Sequence, residues 1–395
     1  MKISLPLVLN CILASSVSSF SSSSFPAVKN RKQFVGKMTA MEDATDMLVT
    51  SVDITETIRK ESLVEYDIVM DHFMFELGND MVFLQNQKEV STYINDNFDA
   101  ILFDCDGVLY RGTDPIPDAA KSLQSLIKSG KKVLFCTNNA GYNRMQLRDK
   151  LANILDCPEL KEEQMVSSSY SAAKYLEKSL DENGLSMKDA NVHVIGTQGL
   201  CDEISSFGAR VTGGPDSDDV PCSMSREELA GYSFAKEENQ GEVHAIVVGL
   251  DNEFNYRKLC IANVLLQRHP DAILVATNED AFDLVGSDSR HLPGNGSLVG
   301  AIEACSQRKA VNVGKPSKIL AELLREEHDL DPSRTLFVGD RLDTDIKFGK
   351  DGGMKSALVL TGCTTSSKLV ELGVGTDDEP LPNIIFPHMG MMGLE

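Results

Sequence analysis

Positive charge is what this chain lacks most: 38 lysines and arginines stand against 59 aspartates and glutamates, a formal net charge of -21. That balance argues against a nucleic-acid backbone as partner. It also requires that any anionic ligand be received by a local cation or metal. No basic stripe interleaved with aromatics relieves it. No Cys-x-x-Cys pair occurs among the nine cysteines, which disfavours both a zinc site and a disulfide framework. Cys105 and Cys136 fall inside apparent core strands, so free thiols in a reducing compartment fit best. There is no internal repeat and no apolar run long enough to span a bilayer.

What is present is ordinary for a soluble globular protein, with 42% hydrophobic and 25% charged residues over 395 positions, enough for two domains. The first residues have a different texture. Lys2 is followed by an apolar stretch from Ile3 to Ala14, too short to cross a membrane but suited to the core of a signal peptide. Val17, Ser18 and Ser19 then offer small residues before Phe20. Ser21 to Ser24 lead into Lys29, Arg31, Lys32 and Lys37, and no acidic residue precedes Glu42. Serine-rich, basic and acid-poor describes an organelle transit peptide. Residues 1–41 are therefore expected to be a targeting leader that resembles the bipartite plastid leader of algae with secondary plastids. Plain secretion, or a cytoplasmic protein starting at Met38 or Met41, are the alternatives. Residues 42–87 mix charge with apolar side chains such as Ile68, Val69 and Phe73, and carry no legible chemistry.

From Phe98 onward, apolar runs alternate with helical patterns. The runs are Ala100–Leu102, Val133–Phe135, Val192–Ile195, Val243–Val248, Ala272–Val275, Val311–Val313, Leu336–Val338 and Ala357–Leu360. Such alternation predicts βαβ units and an α/β fold with a doubly wound parallel sheet. The helix expected between Asp118 and Ser129 has Pro117 at its start, Ala120, Leu123, Leu126 and Ile127 at helical spacing, and Gly130 beyond its end. Between Gly208 and Gly241 lies a polar, acidic passage around Asp216 to Asp219 that cannot be core. It is flanked by strand candidates and a helix from Asn255 to Arg268, enough for an inserted α/β domain. The expected division is a first core segment at 88–165, the insertion at 166–288 and a second core segment at 289–395.

Chemistry gathers at the ends of the runs. Phe103 is followed by Asp104-Cys105-Asp106-Gly107, and two aspartates one residue apart repel unless a metal or cation joins them. The run at Val133 ends in Thr137-Asn138-Asn139, donors suited to an anionic oxygen. Gly314-Lys315-Pro316 follows Val311–Val313 and places a lysine where it can meet a phosphate. Leu336–Val338 ends in Gly339-Asp340-Arg341-Leu342-Asp343-Thr344-Asp345. Each alone has a plain structural explanation: an acidic loop, a polar turn, a surface lysine, a helix N-terminus favoured by acids.

Together, and in this order, the four stretches resemble the motifs of the haloacid dehalogenase-like hydrolases. The insertion, with Pro293-Gly294-Asn295-Gly296-Ser297 and Gly314-Lys315-Pro316-Ser317, resembles the NagD-like branch with a large α/β cap. The wording from Phe103 to Gly112 is most similar to eukaryotic phosphoglycolate phosphatase and 4-nitrophenylphosphatase. The resemblance implies a Mg²⁺-dependent phosphomonoester hydrolase working through an aspartyl-phosphate. Asp104 would be the nucleophile and Asp106 the general acid/base. Thr137, Asn138 and Lys315 would bind the phosphate, and Asp104, the Asp106 main-chain carbonyl and Asp340 would hold the metal, with Asp345 in support. It implies a small phosphorylated metabolite as partner, most readily 2-phosphoglycolate, with pyridoxal phosphate, 4-nitrophenyl phosphate or a phosphoprotein as alternatives. No nucleic acid and no membrane are expected of the mature form, and a homodimer stays open. Arg210, Arg226, Arg257 and Lys258 are candidate donors to a substrate carboxylate. A receiver-like module would lack an acid at Asp106, and a silent scaffold would have lost one of Asp104, Asp106, Lys315 and Asp340.

Overall fold

The computed structural model describes residues 54–76, 81–215, 225–231, 241–285, 290–373 and 375–393. The expected leader and the acidic passage at 216–219 lie outside them. In chain order come β1 (Val82–Phe83), β2 (Ala100–Phe103), the small pair β3 (Tyr110–Arg111) and β4 (Asp114–Pro115), β5 (Lys132–Thr137) and β6 (Met165–Ser167). They are followed by β7 (Asn191–Ile195), β8 (Arg210–Gly213), β9 (Ala245–Val248), β10 (Ile273–Ala276), the pair β11 (Phe282–Val285) and β12 (Arg290–Pro293), and β13 (Val311–Asn312). β14 (Thr335–Gly339), β15 (Lys355–Val359) and β16 (Ile384–Phe386) complete the chain.

Seven strands form one sheet in the order β1-β16-β15-β14-β2-β5-β6, with every neighbouring pair parallel. The chain builds outward from β2 through β5 to β6, leaves, and returns on the other side of β2 at β14. That reversal makes the β2–β14 boundary the switch point, where the crossovers part and leave a crevice at the strands' carboxyl ends. Side chains alternate across the sheet as strand geometry requires. Ile101, Phe103, Val133 and Phe135 face one layer with Leu123 and Leu126 of helix Ala119–Lys128. Leu102, Leu134 and Phe337 face the other with Leu320 and Leu324 of helix Lys318–His328. Burial on both faces explains why these strands read as continuous apolar runs.

A second sheet of five parallel strands, in the order β13-β10-β9-β7-β8, is also covered on both faces. Ala172, Leu176 and Leu180 pack on Val192, Val194 and Val247, while Ile261, Leu265 and Ile302 pack on Ile246, Val248 and Leu274. Two expectations need correction here. β6, Met165–Ser167, pairs with β5 and so belongs to the first sheet, across the expected boundary at 166. Val311 pairs with Val275 and Val313 is buried in the second layer, so the segment carrying Lys315 leaves from the second sheet. The first sheet resumes at β14, not near residue 289.

Helix Ile54–Glu76 is part of the fold, although residues 42–87 carried no legible role. Tyr66 and Val69 are buried with Leu342, Ile346, Leu358, Leu360 and Leu369. Glu65 accepts the N–H of Ser366 at 2.6 Å, and Arg59 meets Asp118 at 2.6 Å. Burying two side chains of this size is worth about 3–6 kcal/mol. Removing residues 1–76 is therefore expected to lower the thermal midpoint and expose a dye-binding apolar surface. An unchanged midpoint would show that the helix is not part of the core.

Candidate active site

Asp104 follows β2 directly, and its N–H extends the ladder by donating to Val338 O at 2.9 Å. The chain then turns sharply. Gly107, at φ +77°, donates to Tyr110 O at 2.8 Å. A Cβ on Gly107 would lie 2.6 Å from Asp340 Oδ2, so this turn can close over the β14 loop only with glycine. Asp340 follows β14, next to Asp104 across the switch point, and one of its oxygens accepts the N–H of Cys363 at 2.5 Å.

Lys315 crosses from the second layer into this acidic crevice. Its Nζ lies 2.6 Å from Asp104 Oδ1 and 2.7 Å from Asp345 Oδ1, and its side chain is 2% exposed. Asp345 is the most fully occupied of the carboxylates, because its second oxygen accepts from Asp340 N at 3.0 Å and Arg341 N at 3.1 Å. It holds the lysine on one oxygen and the turn after β14 on the other. Asp104, Asp340 and Asp345 can each place an oxygen within 4.8 Å of the others.

Burial and repulsion set the electrostatics. Burial, relieved by Lys315 and worsened by Asp345, pushes the Asp104 carboxyl up to about 7. Burial, with Asp345 and Asp104 beside it, holds Asp340 well above the usual carboxylate range. Burial pulls the Lys315 ammonium down, but Asp104 and Asp345 outweigh it and keep it well above an ordinary lysine. Fully ionised, the three buried carboxylates would outnumber the one ammonium, and each like pair at about 4 Å would cost about 4 kcal/mol at an effective dielectric of 20, the repulsion that raises Asp104 and Asp340. All donors are hard oxygens, with neither imidazole nor thiolate among them. The set fits a small hard divalent cation, with Asp104 and Asp340 having more capacity left than Asp345.

Asp106, unlike the three carboxylates of this cluster, has a side chain exposed to solvent. Crowding by the protein still raises its carboxyl, against the pull of Lys150. The Lys150 ammonium sits over the rings of Tyr110 and Tyr142 at 4.6 and 5.0 Å and donates to Tyr110 Oη at 3.2 Å. Thr137 closes β5, is 7% exposed, and accepts the N–H of Asn139 at 3.2 Å. The Asn138 side chain does not point into the crevice as a free donor. It bonds the Lys315 backbone and Asp280, so any phosphate donor it offers is its main-chain N–H.

Carboxyl ends of both sheets converge on the 138–142 loop. Asn278 Nδ2 donates to Asn138 O at 2.8 Å and Thr197 Oγ1 to Gly141 O at 3.2 Å. Asp280 and Arg341 were missed as site residues. Arg341 lies over the Phe282 ring at 5.4 Å and pairs with Asp343 at 2.9 Å. Asp280 stands just past the end of β10, the same strand-end signal that marked Asp104 and Asp340, and reading the inserted sheet by that rule finds it. Of the candidate carboxylate donors, Lys258 is ruled out, because it is buried against Asp251 at 2.6 Å. Arg210 opens β8 at the amino edge of its sheet, the edge away from the crevice, and Arg226 is exposed on a short helix. Arg257 is half-buried in the first turn of helix Tyr256–Arg268.

An acid-lined switch point that receives its lysine from a second α/β layer is the arrangement of a capped hydrolase acting on phosphoryl groups. Comparison with known proteins supplies the family. The haloacid dehalogenase-like hydrolase model matches residues 101–210, and a second, HAD-hydrolase-like model matches 312–385. Phosphoglycolate phosphatase 2 of Arabidopsis thaliana is 36% identical over 278 residues, 70% of this chain and 88% of that protein. Chronophin of Bos taurus is 39% identical over 265 residues, 67% of this chain and 82% of its own. The glycerol phosphate phosphatase of Mycobacterium tuberculosis in complex with magnesium superposes with a TM-score of 0.58 at 26% identity, covering 76% of this chain and 78% of that one. The chain belongs to the haloacid dehalogenase-like hydrolases, in the large-cap, NagD-like branch, and is a phosphoric monoester hydrolase.

Lys315 is the only cation bonded to the cluster among the described residues. Lys315→Met leaves two buried carboxylates uncompensated and is expected to cost about 3–5 kcal/mol in urea unfolding. A loss below about 1 kcal/mol, the scale of a surface pair, would show that the cluster is not charge-coupled.

Proposed function

We propose that this protein hydrolyses 2-phosphoglycolate to glycolate and phosphate with Mg²⁺, acting in a plastid. The observation that carries the phosphatase part is the Asp104–Lys315–Asp345 chain beside Asp340 at the switch point. Phosphoglycolate phosphatases among its relatives support the substrate, as does the leader-like composition of residues 1–41. Carbon fixation in a plastid makes 2-phosphoglycolate when oxygen replaces carbon dioxide.

Asp104 attacks phosphorus through a carboxylate oxygen. The P–O bond to the alcohol breaks as the aspartyl-phosphate forms, which splits one hard displacement into two easier ones. Lys315 holds Oδ1 of the nucleophile, fixing the plane of the carboxylate before attack. Asp106, at the solvent-facing rim with a raised carboxyl, gives its proton to the leaving oxygen. It then takes a proton from the water that hydrolyses the acyl-phosphate, so the acid is restored. Thr137, the main-chain N–H of Asn138 and the Lys315 ammonium receive the phosphoryl oxygens. Asp104, the Asp106 carbonyl and Asp340 would hold Mg²⁺, which supplies charge neutralisation between an anionic nucleophile and an anionic substrate.

Asp104→Asn is expected to abolish turnover and acyl-phosphate formation with the fold intact, and Asp106→Asn to lower kcat about 10²-fold or more. Because protons compete with the cation for Asp104, the Mg²⁺ activation constant should rise as the pH falls from 8 to 6. Substrate choice is tested on leaderless protein by comparing kcat/KM for phosphoglycolate, glycerol phosphate and pyridoxal phosphate. Parity among the three would remove phosphoglycolate while leaving the phosphatase chemistry. Localisation is tested by fusing residues 1–41 to a fluorescent protein in an alga with secondary plastids; a cytoplasmic or secreted signal would reject it.

A further inference from the structure

The loop after β10 reaches the catalytic lysine through a carboxylate that the mechanism above does not use. Asp280 accepts from Asn138 Nδ2 on both oxygens, at 3.1 and 3.2 Å, while its own N–H donates to Asn278 Oδ1 at 3.1 Å. The same Nδ2 donates to Lys315 O at 3.1 Å, and Asn138 Oδ1 accepts the Lys315 N–H at 2.8 Å. One amide thus grips both main-chain polar groups of Lys315, and Asp280 grips the amide. Arg341 and Lys315 attract the Asp280 carboxylate through space, whereas burial and Asp283 oppose its charge. Burial, the largest of these influences, pushes the carboxyl up to about 6, so a charge kept there costs more than a neutral group would.

The charge does what a neutral partner cannot. An ionised carboxylate only accepts hydrogen bonds, so it admits the NH₂ end of Asn138 and repels the carbonyl end. The opposite orientation of the amide would face oxygen to carboxylate, and would set an NH₂ against the Lys315 N–H. Both bonds to Lys315 would be lost. We propose that Asp280 is a positioning residue: it selects the one orientation of Asn138 that clamps the Lys315 backbone, and so aims the Lys315 ammonium at Asp104. The inserted layer then contributes to the chemical step as well as to the choice of substrate. The inference rests on the proposal that Lys315 and Asp104 carry phosphoryl transfer.

A double-mutant cycle tests it, with kcat and KM measured on 4-nitrophenyl phosphate and thermal midpoints recorded for every variant. Asp280→Ala and Asn138→Ala should each lower kcat about tenfold, with KM changed by less than about threefold. The double variant should be no worse than Asn138→Ala alone, because both act through one contact. Asp280→Asn, which can bond Asn138 in either orientation, should lose less. It also supplies the cycle if the alanine variant does not fold. Losses that multiply in the double variant, an effect confined to KM, or wild-type kcat in the Asp280 variants would each overturn the proposal. Lys315→Met is assayed alongside. Retained turnover there removes the role of Lys315 itself, whereas an inactive Lys315→Met with a multiplicative cycle removes only the role of Asp280.

Discussion

One ammonium held among three buried carboxylates is the interaction on which the arrangement of this molecule depends. A buried lysine is tolerated only where its charge is matched, and clustered buried carboxylates only where something positive reaches them. Lys315 answers both needs at once, at 2.6 Å from Asp104 and 2.7 Å from Asp345. To bring it there, the chain uses two sheets. The first sets Asp104 and Asp340 on adjacent parallel strands, and the second delivers the lysine from its edge strand β13. Neither sheet forms the cluster alone. The carboxylate oxygens that one lysine leaves uncompensated are what suit the crevice to a hard divalent cation, on a protein whose overall charge otherwise repels a phosphate.

Much of this is legible in the sequence. Every strand expected from an apolar run is present, and the helix expected between Asp118 and Ser129 forms as Ala119–Lys128. Asp104, Thr137, Lys315 and Asp340 were found because carboxylates, hydroxyls and amines at strand ends interrupt an apolar run too abruptly to miss. Sheet membership was not legible. A run such as Val311–Val313 is equally apolar whichever sheet buries it, and its partner strand, Ile273–Ala276, is fixed by register and not by composition. The side chain of Asn138 was equally opaque. An amide can serve a ligand or a neighbouring backbone, and only the geometry around Lys315 decides which.

Helix Ile54–Glu76 shows a third kind of illegibility. Its exposed positions include Leu63, Val64 and Ile68, so no clean polar face marks it as amphipathic. Its exposed side nevertheless reaches the turn after β2. Glu61 pairs with Arg111 at 3.2 Å, Arg111 donates to Thr361 O, and Thr361 Oγ1 donates to Gly107 O at 2.5 Å. That chain ends one residue from Asp106. The helix lies outside both segments matched by the family models, yet it is linked to the turn that carries Asp106.

Where selectivity resides follows from what the crevice can distinguish. On the proposed mechanism Asp104, Asp340, Lys315 and Thr137 meet only the phosphoryl group, which every phosphomonoester shares, so discrimination must come from groups that meet the rest of the substrate. The cations of the inserted layer do not supply them simply by being charged, since Lys258 is committed to Asp251 in the interior and Arg210 lies at the amino edge of its sheet. The groups that do face the first sheet stand at the carboxyl ends of β7, β9 and β10, and several are already bonded to the 138–142 loop through Thr197 and Asn278. A small substrate would therefore be recognised on a surface whose position is tied, bond by bond, to the loop that follows Thr137. On the role proposed for Asp280, changes there would alter selectivity and the placement of Lys315 together, because the same stretch carries it.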